Sequence, residues 1–197
     1  AYNVVPGLMG VILTMTLVMM TAMAMTRERE RGTLENLLAT PVRPLEMMAG
    51  KILPYVLIGY LQVLIVFAAA RLLFGVPMQG SFVLLSAMVL LFIVATLSVG
   101  FAFSTVARSQ MQSMQMTLFY FLPNILLSGF MFPFRGMPGW AQAIGELLPL
   151  THFLRIVRAI MLKGATLPQL LPEAGAIAAF ILVMGVVAMK RYRQTMD

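Results

Sequence analysis

Few residues of this 197-residue sequence could do chemistry, and their spacing limits what that chemistry could be. His152 is the only histidine and there is no cysteine. That excludes a disulfide framework, a thiolate metal site, and a His-based metal site built from this chain alone. Glu146 lies six residues before His152, but that spacing does not favour a pair, and interfacial packing is the plainer expectation for the ring. The pattern Gly-x-x-x-x-Gly-Lys-Ser/Thr does not occur, so the sequence offers no cradle for ATP phosphates. No catalytic, cofactor or metal residue is assigned. Nineteen methionines include the groups Met19, Met20, Met23, Met25 and Met111, Met114, Met116. Thioethers bind Cu(I), which raises copper export as an alternative, yet without cysteine or further histidine adaptable packing is the favoured reading.

The elements that hold these residues follow from composition. Hydrophobic residues make up 60% and charged residues 11%, against roughly 45–50% and about 25% in ordinary globular domains. The apolar residues come in blocks close to bilayer length. Five spans are expected, at about residues 4–26, 52–74, 82–106, 116–132 and 170–189, giving an all-α polytopic membrane protein in one transmembrane domain. Polar residues inside the spans are uncharged: Thr14, Thr16, Gln62, Thr96, Ser98, Ser104 and Asn124. Helix packing accounts for most of them, with Gln62 and Asn124 retained as candidates for lining a path. Glu173 is the only acidic residue in a span and sits near its beginning, which argues against an ion-driven transporter.

The net charge of +7 would suggest nucleic acid in a soluble domain, but here it follows membrane topology, and no nucleic-acid partner is expected. Arg27, Arg29, Arg31, Arg43, Lys51, Arg108, Lys190, Arg191 and Arg193 fall on one side. Arg135, Arg155, Arg158 and Lys163 fall on the other, and Arg71 at a span end can snorkel to the interface. The first side is therefore read as cytoplasmic, with the chain's first residue outside and its C-terminus inside. The opening at Ala1, without initiator Met or signal pattern, reads as the interior of a longer polypeptide.

Residues 27–51 form the most specific stretch. Arg27-Glu28-Arg29-Glu30-Arg31 cannot sit in hydrocarbon and fixes a water boundary. Gly32 relaxes the chain, Thr33 can cap a short helix, and Leu34, Leu37 and Leu38 fall on one stripe with Glu35 elsewhere. Pro41 ends that helix after Thr40, and Pro44 suits the first turn of the next. Two readings stand on pattern alone: an interfacial helix that merely connects two spans, or a knob that docks into a groove on a soluble partner.

Residues 128–166 are too apolar for an exposed loop. Ser128-Gly129 interrupts the fourth span, and Pro133, Gly136, Pro138 and Gly139 break the backbone again. Trp140, Ile144, Leu147 and Leu148 could share one helix face, and a second short helix is expected from His152 to Leu162. Broken backbone at membrane depth requires cover by protein or a cavity, which a re-entrant hairpin supplies. Ser128, Gly129, Phe130, Phe132, Pro133, Pro138 and Trp140 are the candidate outer gate. The alternative is a passive seal, with Trp140 an interfacial anchor.

The run Glu28 to Glu35 with Leu37-Leu38 and Thr40-Pro41 resembles the corresponding segment of ABC-2 type permeases, the membrane subunits of ATP-binding-cassette exporters. Gly50-Lys51, Pro54-Tyr55, Leu127 to Phe130, Phe132-Pro133, Met137-Pro138, Pro149 to Phe153, Arg158 and Lys163-Gly164 extend the likeness along the whole chain. It is strongest to the bacterial YhhJ/YbhR/YbhS-like multidrug permease group. The resemblance implies a type V exporter-like architecture, a bacterial inner-membrane location, and spans two to six of a six-span half-transporter. The first span and an extracytoplasmic domain would lie upstream. It implies ATPase subunits that bind ATP and Mg, a second permease copy or paralogue, surrounding membrane lipid, and an optional periplasmic adaptor. It also places ATPase-coupling contacts among Glu28, Arg29, Glu30, Arg31, Gly32, Thr33, Leu34, Glu35, Leu37, Leu38, Thr40 and Pro41. The expected function is export of a hydrophobic or amphiphilic substrate. A non-transporting membrane scaffold is the alternative, and a proton-coupled exporter the third.

Overall fold

The structure, a computed structural model, describes residues 4–31 and 44–196. Its described residues form helices and connections with no strand. The long helices are α1 (Val4–Glu30), α2 (Pro44–Leu73), α3 (Phe82–Val106), α4 (Gln110–Leu127) and α7 (Leu167–Met196). A single 3-10 turn (Phe134–Gly136), α5 (Gly139–Glu146) and α6 (Pro149–Lys163) lie between α4 and α7. Among the described residues, α1, α2, α3 and α7 are long and apolar enough to cross a membrane. The fourth expected span, α4, falls short of that mark because its first turns carry Gln110, Gln112, Ser113 and Gln115.

Two limits of α4 differ from expectation, and both have local causes. It starts at Gln110 rather than near 116 because Ser109 caps it. The Ser109 hydroxyl accepts from the Gln112 N–H at 3.1 Å, and the Gln112 side chain accepts from the Arg108 N–H at 2.8 Å. This Ser-x-x-Gln pattern satisfies two N–H groups that would otherwise face the helix end unpaired. It stops at Leu127 rather than 132 because Gly129 takes φ +93°, which a helix cannot continue through.

The central pair is α1 and α3. Half of each is buried within this chain, against 11% of α2 and 17% of α7, so the latter two pack at the periphery. Gly100 lets the two backbones meet: a Cβ there would lie 2.8 Å from Thr21 Cβ and 2.9 Å from the Val18 carbonyl oxygen. Hydroxyls on both helices bond carbonyls of their own helix, Thr14 to Gly10 at 2.7 Å and Thr96 to Ile93 at 2.8 Å. Such bonds let hydroxyls stay in an apolar interior without a partner helix.

Helix α4 is patterned inside out. Its buried residues are Ser113, Thr117 and Asn124, while Met111, Leu118, Phe119 and Leu122 are exposed. In water that arrangement would be unfavourable; in hydrocarbon it follows from the solvent being as apolar as leucine.

The helix expected from His152 to Leu162 starts three residues earlier, at Pro149, whose fixed φ suits a first turn. It ends at Gly164 in the left-handed region (φ +63°). Helix α6 is a core element. Leu150, Phe153, Leu154, Ile156, Val157 and Ile160 are essentially fully buried, and the Phe153 ring stacks on Phe92 of α3 at 4.2 Å. Gly10 of α1 makes room for it, since a Cβ there would meet Leu150 and Phe153 within 3 Å. At about 1.5 Å per residue, α1 is roughly 40 Å long, so its contact with α6 and its Arg27–Glu30 turn lie at opposite ends of the bundle. The first end holds residues 128–166, expected above to be re-entrant, and is the re-entrant end for that expectation; the second is the basic end.

Candidate functional site

At the basic end, α1 continues as helix through the charged run instead of ending at Thr26. Glu28 pairs with Lys51 of α2. Glu30 accepts the Gln110 backbone N–H at 3.1 Å and the Gln110 side-chain N–H at 3.0 Å. An anion there also meets the positive end of the α4 dipole. Arg27 contacts the Gln110 side-chain oxygen at 3.5 Å, and the Thr26 and Ser113 hydroxyls are 2.6 Å apart in the buried layer beneath. Both acidic residues of the run are thus engaged within the chain, fastening α1 to α2 and to α4. Arg29 lies on α1, and Arg31 follows in an exposed turn. Gly32, Thr33, Leu34, Glu35, Leu37, Leu38, Thr40 and Pro41 lie outside the described residues.

At the re-entrant end, four of the seven candidate gate residues share one site. Phe132, Pro133, Pro138 and Trp140, with Leu126 and Leu127, line an open apolar cavity of about 410 Å³. Phe130 instead packs over Gly7 of α1, and Ser128 is buried with its hydroxyl unpartnered among the described residues. Of the helix face drawn through Trp140, Ile144, Leu147 and Leu148, the first three are exposed and Leu148 is half-buried, whereas Ala141 and Gly145 turn inward. Gly145 is needed there: a Cβ would lie 2.4 Å from the Leu127 carbonyl oxygen.

Beside the cavity stands a charge cluster drawn from three helices. His152 Nε2 lies 2.8 Å from the Glu146 carbonyl oxygen, and its Nδ1 meets a carboxylate oxygen of Glu173 on α7. The partner carboxylate is therefore Glu173, 21 residues on, while the Glu146 carboxylate stands 3.7 Å from the ring. Arg155 donates to Glu146 at 2.7 Å and 3.2 Å, reaches Glu173 at 3.4 Å, and lies over the Phe134 ring at 4.7 Å. The hydrogen bond from Arg155 holds the Glu146 carboxyl below its ordinary range. Sequence reasoning missed this cluster. The available signal was that Glu173 is the only acid of the last span and must find a partner to be tolerated there.

The two path candidates are set apart by burial. Asn124 is fully enclosed; its amide donates to the Tyr120 carbonyl at 2.7 Å, and its oxygen has no partner among the described residues. Gln62 on α2 is half-buried, and its side-chain oxygen is likewise unpartnered. Such oxygens call for water or another polar group. No cluster of three or more metal-ligating side chains occurs among the described residues.

Known proteins are similar in sequence to this chain over most of its length. The profile of the family described as ABC-2 type transporter matches residues 1–162. "Inner membrane transport permease YhhJ" of Escherichia coli K12 is 35% identical over 196 residues, covering 96% of this chain and 51% of the relative. "Probable multidrug ABC transporter permease YbhS" of the same organism is 32% identical over 194 residues, 97% of this chain and 51% of that one. "ABC transporter G family member 20" of Dictyostelium discoideum is 28% identical over 162 residues, 82% of this chain and 22% of its own length. The chain spans about half the length of the bacterial relatives. On these matches, this chain belongs to the ABC-2 type transporter family of membrane permeases.

Proposed function

We propose that this chain is the membrane-spanning part of an ATP-binding-cassette exporter permease, driven by ATPase subunits that bind ATP and Mg. The observation that carries this reading is the fastening at the basic end. Glu28 ties α1 to α2 across residues 32–43, and Glu30, just before that segment, ties α1 to α4. A partner that pushes on the segment from Thr33 to Pro41 would thereby move three helices as one body. Rigid packing at Gly100 and along α6 would carry that motion to the re-entrant end, as two-state switching requires. The names of the bacterial relatives, which speak of multidrug and transport permeases, support the same role.

In this reading the basic end is cytoplasmic, the membrane is the bacterial inner membrane, and α4 is a fifth span. A second copy or paralogue completes the translocation path. The exposed apolar cavity bounded by Phe132, Pro138 and Trp140 suits a hydrophobic or amphiphilic substrate at the exit. Gln62 and Asn124, whose side-chain oxygens have no partner among the described residues, stay the candidates for lining such a path.

The test is coupling. Glu35→Lys and Leu37→Asp are expected to leave the permease in the membrane while lowering co-purification of the ATPase and uncoupling its activity from export. Normal co-purification together with normal export in both variants would overturn the coupling role. Absence of any ATPase from the native complex would favour a scaffold instead.

A further inference from the structure

Helices α2 and α3 meet where Gly59 lies against the Ile93 side chain. Toward the re-entrant end they leave a slot between them. The buried side chains of Val63, Leu85 and Val89 form its floor, and Tyr60, Phe67 and Phe82 flank it. The Phe67 and Phe82 rings meet edge to face, with centroids 5.2 Å apart. The two hydroxyls of the lining are turned on the protein itself. Tyr60 donates to the Ser86 carbonyl oxygen at 2.8 Å, and the Ser86 hydroxyl points to the Tyr60 oxygen at 3.5 Å. What remains is an apolar surface, and it belongs to α2, of which only 11% is buried within this chain. The slot is thin: its cavity is about 30 Å³, against about 410 Å³ beside Trp140. That width suits a single flexible hydrocarbon chain and is too small for a ring system or a helix.

The stripe of α2 that lines the slot runs through Tyr60, Val63 and Phe67, and one turn further on it reaches Arg71. Arg71 is exposed and makes no ion pair among the described residues. Residues 51 to 71 of α2 span about 30 Å, which matches the roughly 30 Å of a hydrocarbon core. Lys51 therefore marks one headgroup level and Arg71 the other. From Tyr60 to Arg71 the helix rises about 16 Å, so a chain lying in the slot brings its polar end to the guanidinium. The connection from α2 to α3 carries a second cation nearby. The Val76 N–H donates to the Ala70 carbonyl beside Arg71, and the Gln79 N–H donates to the Met161 carbonyl, two residues from the exposed Lys163, each at 3.1 Å. The two carboxylates of this end, Glu146 and Glu173, are both engaged by Arg155. The mouth of the slot is positive.

We propose that the slot between α2 and α3 is a binding site for one anionic phospholipid of the leaflet at the re-entrant end. An acyl chain lies along Val63, Leu85 and Val89, and the phosphate pairs with Arg71, whose planar guanidinium can donate to two of its oxygens. A headgroup of net negative charge is preferred to a zwitterionic one, because the mouth offers cations and no unengaged carboxylate to hold an ammonium group. The bound chain fills the gap between two helices and holds the peripheral α2 against the bundle. The site requires a bilayer around this chain and does not rest on the permease reading above.

The experiment uses the intact protein in phosphatidylcholine vesicles containing increasing amounts of brominated phosphatidylglycerol, which quenches tryptophan on contact. Trp140 is the only tryptophan, so Phe67→Trp in a Trp140→Phe background places one reporter at the slot. Leu182→Trp in the same background places one on the exposed face of α7. At the slot, phosphatidylglycerol is expected to be preferred about fivefold over phosphatidylcholine, and Arg71→Gln is expected to abolish that preference. At Leu182→Trp neither lipid is preferred, with or without Arg71. Quenching at the slot without headgroup preference would overturn the proposal and leave an ordinary lipid annulus. No quenching there by any brominated lipid would overturn it too, by showing that protein or cargo covers the slot. A preference that survives Arg71→Gln would overturn the pairing with phosphate. Native mass spectrometry decides the matter even if Phe67→Trp fails to fold. The wild type is expected to keep one phosphatidylglycerol per chain through detergent exchange and Arg71→Gln to lose it, while a bare wild type would refute the site. Neither readout needs ATP or substrate, so failure of the permease reading would show instead in ATPase co-purification.

Discussion

Lys51 at the start of the second apolar stretch pairs with Glu28 at the end of the first, so the chain between them leaves and returns to one point on the bundle. The side chains keep 22% and 32% of their exposure, so the pair is only partly shielded from water. Glu28→Lys and Lys51→Glu are each expected to reduce stability and, on the permease reading proposed above, export. The doubly exchanged protein should regain most of both, with a coupling energy of about 1 kcal/mol in a double-mutant cycle. Thermal unfolding in detergent, with export measured in vesicles, tests this; a double variant no better than its parents would refute the pairing role.

Gly100 touches Thr21 and the Val18 carbonyl across the α1–α3 contact. Because one of the two neighbours is backbone, the helices must separate to admit a side chain. Gly100→Ala is expected to cost about 1–3 kcal/mol. The same change at Gly50, where nothing lies within 4 Å, should cost nothing and gain slightly in helix propensity. Comparing the two unfolding midpoints distinguishes close packing from a general preference for glycine.

Glu146 is held below its ordinary value of 4.5 by the Arg155 hydrogen bond. A carboxylate whose folded value is depressed adds stability that is complete above its unfolded value and is lost as pH falls through the folded one. Glu146→Gln should therefore be less stable than the wild type near neutral pH. The difference should shrink below about pH 4.5 and vanish in stronger acid. The side chain is 46% exposed, so the effect is small, under about 1 kcal/mol. A difference that persists unchanged at low pH would assign the effect to packing instead.

Sequence by itself determined that this chain lives in a membrane, where its apolar stretches lie, and which family it belongs to. Hydropathy and helix punctuation are local, so α3 falls at residues 82–106 as read, and Pro44 opens α2. The Ser109–Gln112 cap was equally local and would have moved the start of α4 to Gln110. Tertiary structure decided the rest. A run of alternating charge says that water is near, but not that Glu28 chooses Lys51 and Glu30 chooses Gln110. The short helix expected from His152 to Leu162 has no assigned depth in the sequence, until Gly10 and Phe92 provide a place for Leu150 and Phe153. A lone histidine likewise looks inert beside a carboxylate six residues away; its carboxylate partner is found only when α7 carries Glu173 to it. Polar groups placed at membrane depth must find partners, but which partner they find is fixed by helix packing between residues far apart in the chain.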